Sequence, residues 1–309
     1  MLRYIGRRLL RLIPILLVVS FIAFSLMYIA PGDPALKKLV AQGLAPSEEV
    51  LKLTRESMGL DRPFIVRYFD WLWNFLKGDL GVSYAKSLPV SQMMWKAMGK
   101  TSVLALSALM LSLIIAVPLG ILTAVRRNRA TDYIVRFFTF TANSIPTFLI
   151  ALLLIYAFCI KLSWFPVLAK GSIQGLVLPT VALSIPCAGK FIKQFRAEIL
   201  EQLGKDFVLG AQARGVKPSV FLTHDVLHNA MLTIITVIGL AIGGLFTGSV
   251  VIESIFQWPG VGQLVMDAIT ARDYPVIQGF VVYIAVIYVI INLLTDITYR
   301  IFDPRVKAD

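Results

Sequence analysis

Apolar residues in this chain gather into six long runs separated by short polar stretches, covering residues 9–30, 102–124, 137–160, 176–188, 230–252 and 276–298. A helix needs about 20 predominantly apolar residues to cross a bilayer, and five of the runs approach or exceed that length. The fourth is shorter but continues through Gly189-Lys190-Phe191-Ile192, where Lys190 can snorkel towards the headgroups. The pattern predicts an all-α membrane protein with six transmembrane helices. Two runs carry breaks. The third contains Asn143-Ser144-Ile145-Pro146, which predicts an internal kink, and the fourth contains Pro179 and Pro186. Such breaks survive in lipid only where neighbouring helices or water satisfy the freed backbone.

Between the first two runs the chain leaves the membrane, from residue 31 to about 101. Pro31-Gly32-Asp33-Pro34 predicts a turn, because proline removes a donor and restricts its predecessor. Ser47 followed by Glu48 and Glu49 reads as an N-cap with an acidic first turn. Pro63 opens a second helix with Tyr68, Trp71, Leu72 and Phe75 on one face, and Trp71 and Trp73 suit a membrane interface. The segment reads as two short helices lying on the outer surface. The chain thus divides into a tail and first helix (1–30), an outer segment (31–101), a five-helix core (102–305) with a polar loop at 190–228, and a C-terminal tail (306–309).

Composition agrees: 57% of residues are hydrophobic, 16% are charged, and mean hydropathy is +0.77, against about 45–50% and about 25% in a soluble domain. The net charge of +12 raises the question of nucleic acid. Its placement answers it. With both termini inside, the inner ends hold Arg3, Arg7, Arg8 and Arg11; Arg126, Arg127, Arg129 and Arg136; six cations between Lys190 and Lys217; and Arg300, Arg305 and Lys307. The two short outer loops hold only Lys161, Lys170 and Arg272. That asymmetry is the positive-inside signal, and no basic face with interleaved aromatics points to nucleic acid. The first run is too long for a signal-peptide core, so a retained helix is expected. Cys159 and Cys187 lie singly in the spans and read as small buried hydrophobes.

The polar loop carries the most informative stretch, Asp206-Phe207-Val208-Leu209-Gly210-Ala211-Gln212-Ala213-Arg214-Gly215. Asp206 is expected to cap a short helix ending at Arg214, with Gly215 in the left-handed position beyond it and Pro218 opening the next helix. Gly210, Ala211 and Ala213 offer a surface on which a soluble partner can sit closely, and Phe207 can plug a pocket. In the fifth run, Gly239, Gly243, Gly244 and Gly248 permit close helix approach, within the chain or to a second subunit. Glu253 and Asp296 are expected at the membrane interface, and no run carries the carboxylate or histidine relay of an ion-coupled transporter. His224-Asp225-Val226-Leu227-His228 is close to the H-E-x-x-H zinc-protease motif. Aspartate is one carbon short of the required base, however, and the chain has no third histidine, so no metal site is expected. Nothing resembles a phosphate-binding loop, so any ATP and Mg²⁺ would be held by another subunit and the chain itself needs no cofactor.

Several of these residues together resemble the permease subunits of bacterial ABC importers in the dipeptide, oligopeptide and nickel class. The resemblance covers nearly the whole chain. It includes Arg7-Arg8-Leu9, Pro31 to Pro34, Gly59-Leu60-Asp61-Arg62-Pro63, Gly78-Asp79-Leu80-Gly81-Val82-Ser83, Ser144-Ile145-Pro146-Thr147-Phe148, Phe256 to Gly262, Arg272-Asp273-Tyr274-Pro275 and Asp303-Pro304-Arg305. It implies the type I importer architecture in the inner membrane, with cytoplasmic termini, and a non-enzymatic subunit that forms half of a translocation pathway. The implied partners are a homologous second permease, two ATPase subunits, an extracytoplasmic solute-binding protein and membrane lipid. The loop then corresponds to the coupling helix that enters a cleft on the ATPase, with Gly215 as its glycine and Ala211 as the small residue four before it. Two positions depart from the family pattern: Leu209 replaces a glutamate, and Thr233 replaces a proline at the start of the fifth span. Candidates for docking the binding protein are Asp33, Pro34, Trp258, Pro259, Gly260, Asp273 and Tyr274. The solute is expected to be a small peptide or a nickel chelate, and the short loop 161–175 with Glu49-Val50-Leu51 and Trp71-Leu72-Trp73 leans towards nickel. The rival readings are an ion-coupled secondary transporter and an intramembrane metalloprotease.

Overall fold

The computed structural model describes residues 2–29, 32–41 and 47–302, without the side chains of residues 2–12, 41, 219, 232, 233, 292 and 294–302. Pro31, the motif at 303–305 and the tail at 306–309 lie outside the described residues. So do the side chains of Arg3, Arg7, Arg8, Arg11, Thr233, Asp296 and Arg300. All the regular elements among the described residues are helices, apart from one isolated bridge between Val82 and Pro89.

In chain order the helices are α1 (Leu2–Ile29), α2 (Pro34–Ala41), α3 (Glu48–Ser57), α4 (Phe64–Leu76), α5 (Val90–Val125), α6 (Ala130–Ser144) and α7 (Thr147–Leu154). A π-helical turn (Ile155–Lys161) extends α7. There follow α8 (Ile173–Leu203), α9 (Asp206–Ala213), α10 (Pro218–Phe221), a second π turn (Leu222–Val226), α11 (Leu227–Phe256), α12 (Val261–Ala271) and α13 (Tyr274–Phe302). Among the described residues four helices are individually long and apolar enough to cross a membrane, and up to six spans result if each of two bent pairs counts as one.

Contacts divide the chain into two units. The first comprises residues 1–101 and 259–289; the second comprises 102–258 and 290–309. In the first unit, α4 docks on α1 through aromatic rings: Phe21 and Phe24 meet Phe64 and Tyr68 edge-on at 5.2–5.7 Å, a geometry favoured by ring quadrupoles. Tyr68 is buried, and its hydroxyl lies 3.1 Å from Ser20 Oγ. Trp71 and Trp73, two apart on α4, point to different sides. Trp71 stacks on Phe75 inside the unit, while Trp73 is exposed. The outer segment also holds three helices where two were expected. Pro34 is the first residue of α2, and Ala35 N–H donates to Asp33 Oδ1 at 2.9 Å. Asp33 and Pro34 therefore start a helix where only a turn was expected. Ser47 caps α3 as expected, accepting from Val50 N–H.

In the second unit, α8 is the centre. Its most apolar window is 67% buried inside the chain, so its outward surface meets protein more than lipid and its apolar run could be short. Both prolines sit inside a continuous helix. Close approach is secured by glycines: a Cβ on Gly120 of α5 would stand 2.7 Å from Phe195 Cβ, and one on Gly189 would meet the Asn143 side chain and, at 3.3 Å, Thr139 O. The third run is bent, as expected, and sharply. It breaks between α6 and α7 through 99°, since Ile145 adopts the extended conformation that a following proline imposes. Thr141, Asn143 and Ser144 also turn their side chains back onto carbonyls four residues earlier, which weakens the end of α6. Helix α11 runs unbroken through Thr233. Glu253, expected at the interface, is fully buried.

Candidate functional site

Helix α9 leaves α8 through Gly204 and Lys205, and Lys205 is its N-cap, with extended backbone and no side-chain bond to the helix. Asp206 therefore stands in the first turn and not at the cap. Its carboxylate still faces the positive end of the helix dipole. The C-terminus is a complete Schellman motif. Val216 N–H donates to Ala211 O at 3.1 Å and Gly215 N–H donates to Gln212 O at 2.9 Å, while Gly215 takes φ +73°. Glycine reaches that region without steric cost, so the position inferred for Gly215 from sequence is the one observed. Pro218 begins α10, as expected.

The faces of α9 differ from the expected ones. Val208 and Ala211 are buried in the core of the second unit together with Ile199, Phe221 and Val226, so Ala211 holds the helix to its own chain. The outward face carries Phe207, 36% exposed, and Leu209, 62% exposed, beside exposed Asp206, Ala213, Arg214 and Gly215 and half-buried Gly210. Leu209, noted in the sequence only as a replaced glutamate, is the most prominent apolar knob on this helix. An apolar side chain so exposed on a polar loop is informative where it belongs to a compact patch.

Near the base of α8 lies a group that sequence reasoning missed. Asp132, with no exposed surface, accepts two bonds from Arg196, from Nε to Oδ1 and from Nη2 to Oδ2, both at 2.8 Å, and a third from Asn128 N–H at 3.0 Å. This fork pins the start of α6 and the 126–129 turn to α8. In the sequence Asp132 is a lone acid among arginines 64 positions from its partner, and its one signal was that it opposed the charge of its neighbours.

On the other unit, most residues expected to dock a binding protein turn out to be internal struts. Asp273 is buried and accepts from Ser83 Oγ, from Tyr84 N–H at 3.0 Å and from Ala85 N–H at 3.2 Å. It thereby ties the Gly78–Ser83 motif to the Arg272–Pro275 motif. Asp33 pairs with Arg55 at 2.6 Å, and the Arg272 guanidinium packs over Gly32, where a side chain would collide with it. Pro34, Gly260 and Tyr274 are buried, whereas Pro259 is exposed. In the second unit Trp258 is 2% exposed and donates its backbone N–H to Glu253 O at 2.9 Å. The burial of Pro34, Trp258, Gly260, Asp273 and Tyr274 leaves Pro259 as the exposed docking candidate. Burial also raises the Tyr84 hydroxyl pKa above its ordinary value, against a lowering by Arg67.

His224 is exposed and lies 3.2 Å from its neighbour Asp225. Among the described residues no three His, Cys, Asp or Glu side chains cluster as a metal site.

Residues 116–308 match the family of binding-protein-dependent transport system inner membrane components, and residues 1–105 match its N-terminal companion. The chain is 38% identical to a probable peptide ABC transporter permease of Sinorhizobium fredii, over 98% of this chain and 99% of that protein. It is 34% identical to the glutathione transport system permease GsiC of Escherichia coli, over 99% of both. Among solved structures, the inward-facing MetNI methionine ABC transporter aligns with TM-score 0.57 and 16% identity over 69% of this chain and 97% of that one. An amino acid ABC transporter with histidines aligns at 0.54 and 15%, over 70% and 95%. These two show the fold, that of type I importer permeases. The chain belongs to the binding-protein-dependent transport system inner membrane components, as a multi-pass permease subunit of a bacterial ABC importer in the dipeptide and oligopeptide class.

Proposed function

We propose that this subunit forms half of the pathway through which an ATP-driven importer admits small peptides, and that α9 couples it to an ATPase. The observation that carries the coupling is the outward face of α9, where Phe207 and Leu209 project from a helix that is fixed to the core by Val208 and Ala211 and stopped by Gly215. A knob on a rigid, capped helix transmits displacement to α8 and α11, whereas a mobile loop would absorb it. The coupling surface comprises Asp206, Phe207, Leu209, Gly210, Ala213, Arg214 and Gly215, and Ala211 holds the inner face.

A second permease completes the pathway. Gly244 and Gly248 support this, because a Cβ on either meets nothing within 4 Å in this chain, although small residues four apart favour close helix contact. ATP and Mg²⁺ belong to two ATPase subunits that switch the pathway between inward and outward access. A binding protein delivers solute to the outer loops, where Pro259 is exposed. The reported relatives are named for peptides and glutathione, so we take a small peptide in preference to a nickel chelate. The test is capture of the cognate ATPase by the purified permease. Leu209→Asp should abolish capture with thermal stability unchanged, and undiminished capture by that variant would sink the coupling role of α9.

A further inference from the structure

In the first unit, α2, α4, the 78–87 segment and α13 surround a polar cavity of about 450 Å³, a size suited to a small ligand. Four charged side chains line it: Lys38, Arg62, Arg67 and Asp70. Asp70 is taken by Arg62 at 3.1 Å. Arg67 has no carboxylate partner among the described residues; its guanidinium stands 5.9 Å from the ring centres of Phe24 and Tyr28. The cavity is therefore cationic, with Arg67 and Lys38 left over. Arg67 also lines an adjoining cavity of about 390 Å³, where Asp61 is found and Asp33 is committed to Arg55.

Two residues of the wall also hold polar atoms without a partner. Tyr274 Oη and Trp71 Nε1 are both buried without a hydrogen-bond partner, and Tyr274 is 9% exposed. Native proteins seldom keep such groups unpaired. Gln278, 8% exposed, lines both cavities. A guanidinium fork beside an ammonium calls for a ligand that is all acceptor, and an ionised carboxylate is such a group.

We propose that this cavity is an anion site on the outer part of the permease that receives the free carboxylate of a small peptide, with Arg67 as its principal anchor. The proposal rests on the peptide-importer reading. It adds a site where the permease itself recognises one end of its solute.

The test uses the full-length chain in phosphatidylcholine nanodiscs, with L-alanyl-L-alanine and its C-terminal amide as probes and calorimetric binding as the readout. The dipeptide should bind about tenfold more tightly than the amide, since charge-assisted bonds to carboxylate are about twice as strong as neutral ones. Arg67→Gln should remove that preference, while Arg67→Lys should retain part of it and Tyr274→Phe should weaken dipeptide binding less. Equal binding of acid and amide, or an unaltered preference in a folded Arg67→Gln protein, overturns the site. Loss of dipeptide binding when phosphatidylglycerol replaces phosphatidylcholine would assign the cavity to lipid phosphate and also overturn it. Uptake of L-alanyl-L-alanine by the assembled importer is scored separately. Uptake without carboxylate-selective binding removes the site and spares the importer reading, and selective binding without uptake does the reverse.

Discussion

Asp132 and Gly215 show how far single residues could be read from the chain. Gly215 was legible because its signals are local, a small-residue helix before it and a proline three positions on, and its observed φ of +73° is one that glycine adopts freely. Asp132 was not, because its partner Arg196 is remote in sequence and only the packing of α6 on α8 brings them together. Each supports a prediction. Gly215→Ala should cost about 1–2 kcal/mol, the steric penalty of an L-residue in that region, since open space surrounds the new Cβ. Chemical or thermal unfolding in detergent measures that cost, and Gly215→Asn should be milder. Asp132→Ala strands a largely buried guanidinium, and breaking such a pair costs about 3–5 kcal/mol. The double variant Asp132→Ala/Arg196→Met should unfold at a higher temperature than Asp132→Ala alone, because it removes the stranded charge along with its partner.

Elements were legible where length and periodicity agree, and misread where a short element left too few turns to judge. The long spans followed from apolar runs, and α8 emerged longer than its run because it is enclosed by the chain. Helix α9 has eight residues, about two turns, so its small residues were credited to the partner face although Ala211 points inward. The break at Ile145-Pro146 was visible as a proline signal, but its 99° angle and the seating of Asn143 against Gly189 are supplied only by the fold. Packing at the glycines is therefore selective. Gly120→Leu and Gly189→Leu should lower the yield of folded permease sharply, because each would drive a side chain into α8 or α6. Size-exclusion chromatography should show aggregation for both. Gly244→Leu should leave the isolated chain folded, since its surroundings are empty.

Across the whole molecule, the exposed glycine face of α11 and the exposed knob of α9 are surfaces that the chain alone does not cover, and both are assigned here to missing subunits. Gly244→Leu should then lower recovery of the second permease in copurification while this chain stays monodisperse; full recovery would remove α11 from that interface. The outer loops are the opposite case, with Asp273 and Trp258 spent on internal support. The central claim is that Leu209 and Phe207 carry the drive from ATPase to pathway, and it is tested most directly by ATP-driven uptake of L-alanyl-L-alanine into proteoliposomes holding the complete importer. Leu209→Asp should reduce uptake by about tenfold or more, as removal of an interface anchor does, with the permease still folded and inserted. Uptake at the unmodified rate by the Leu209→Asp importer would contradict the account.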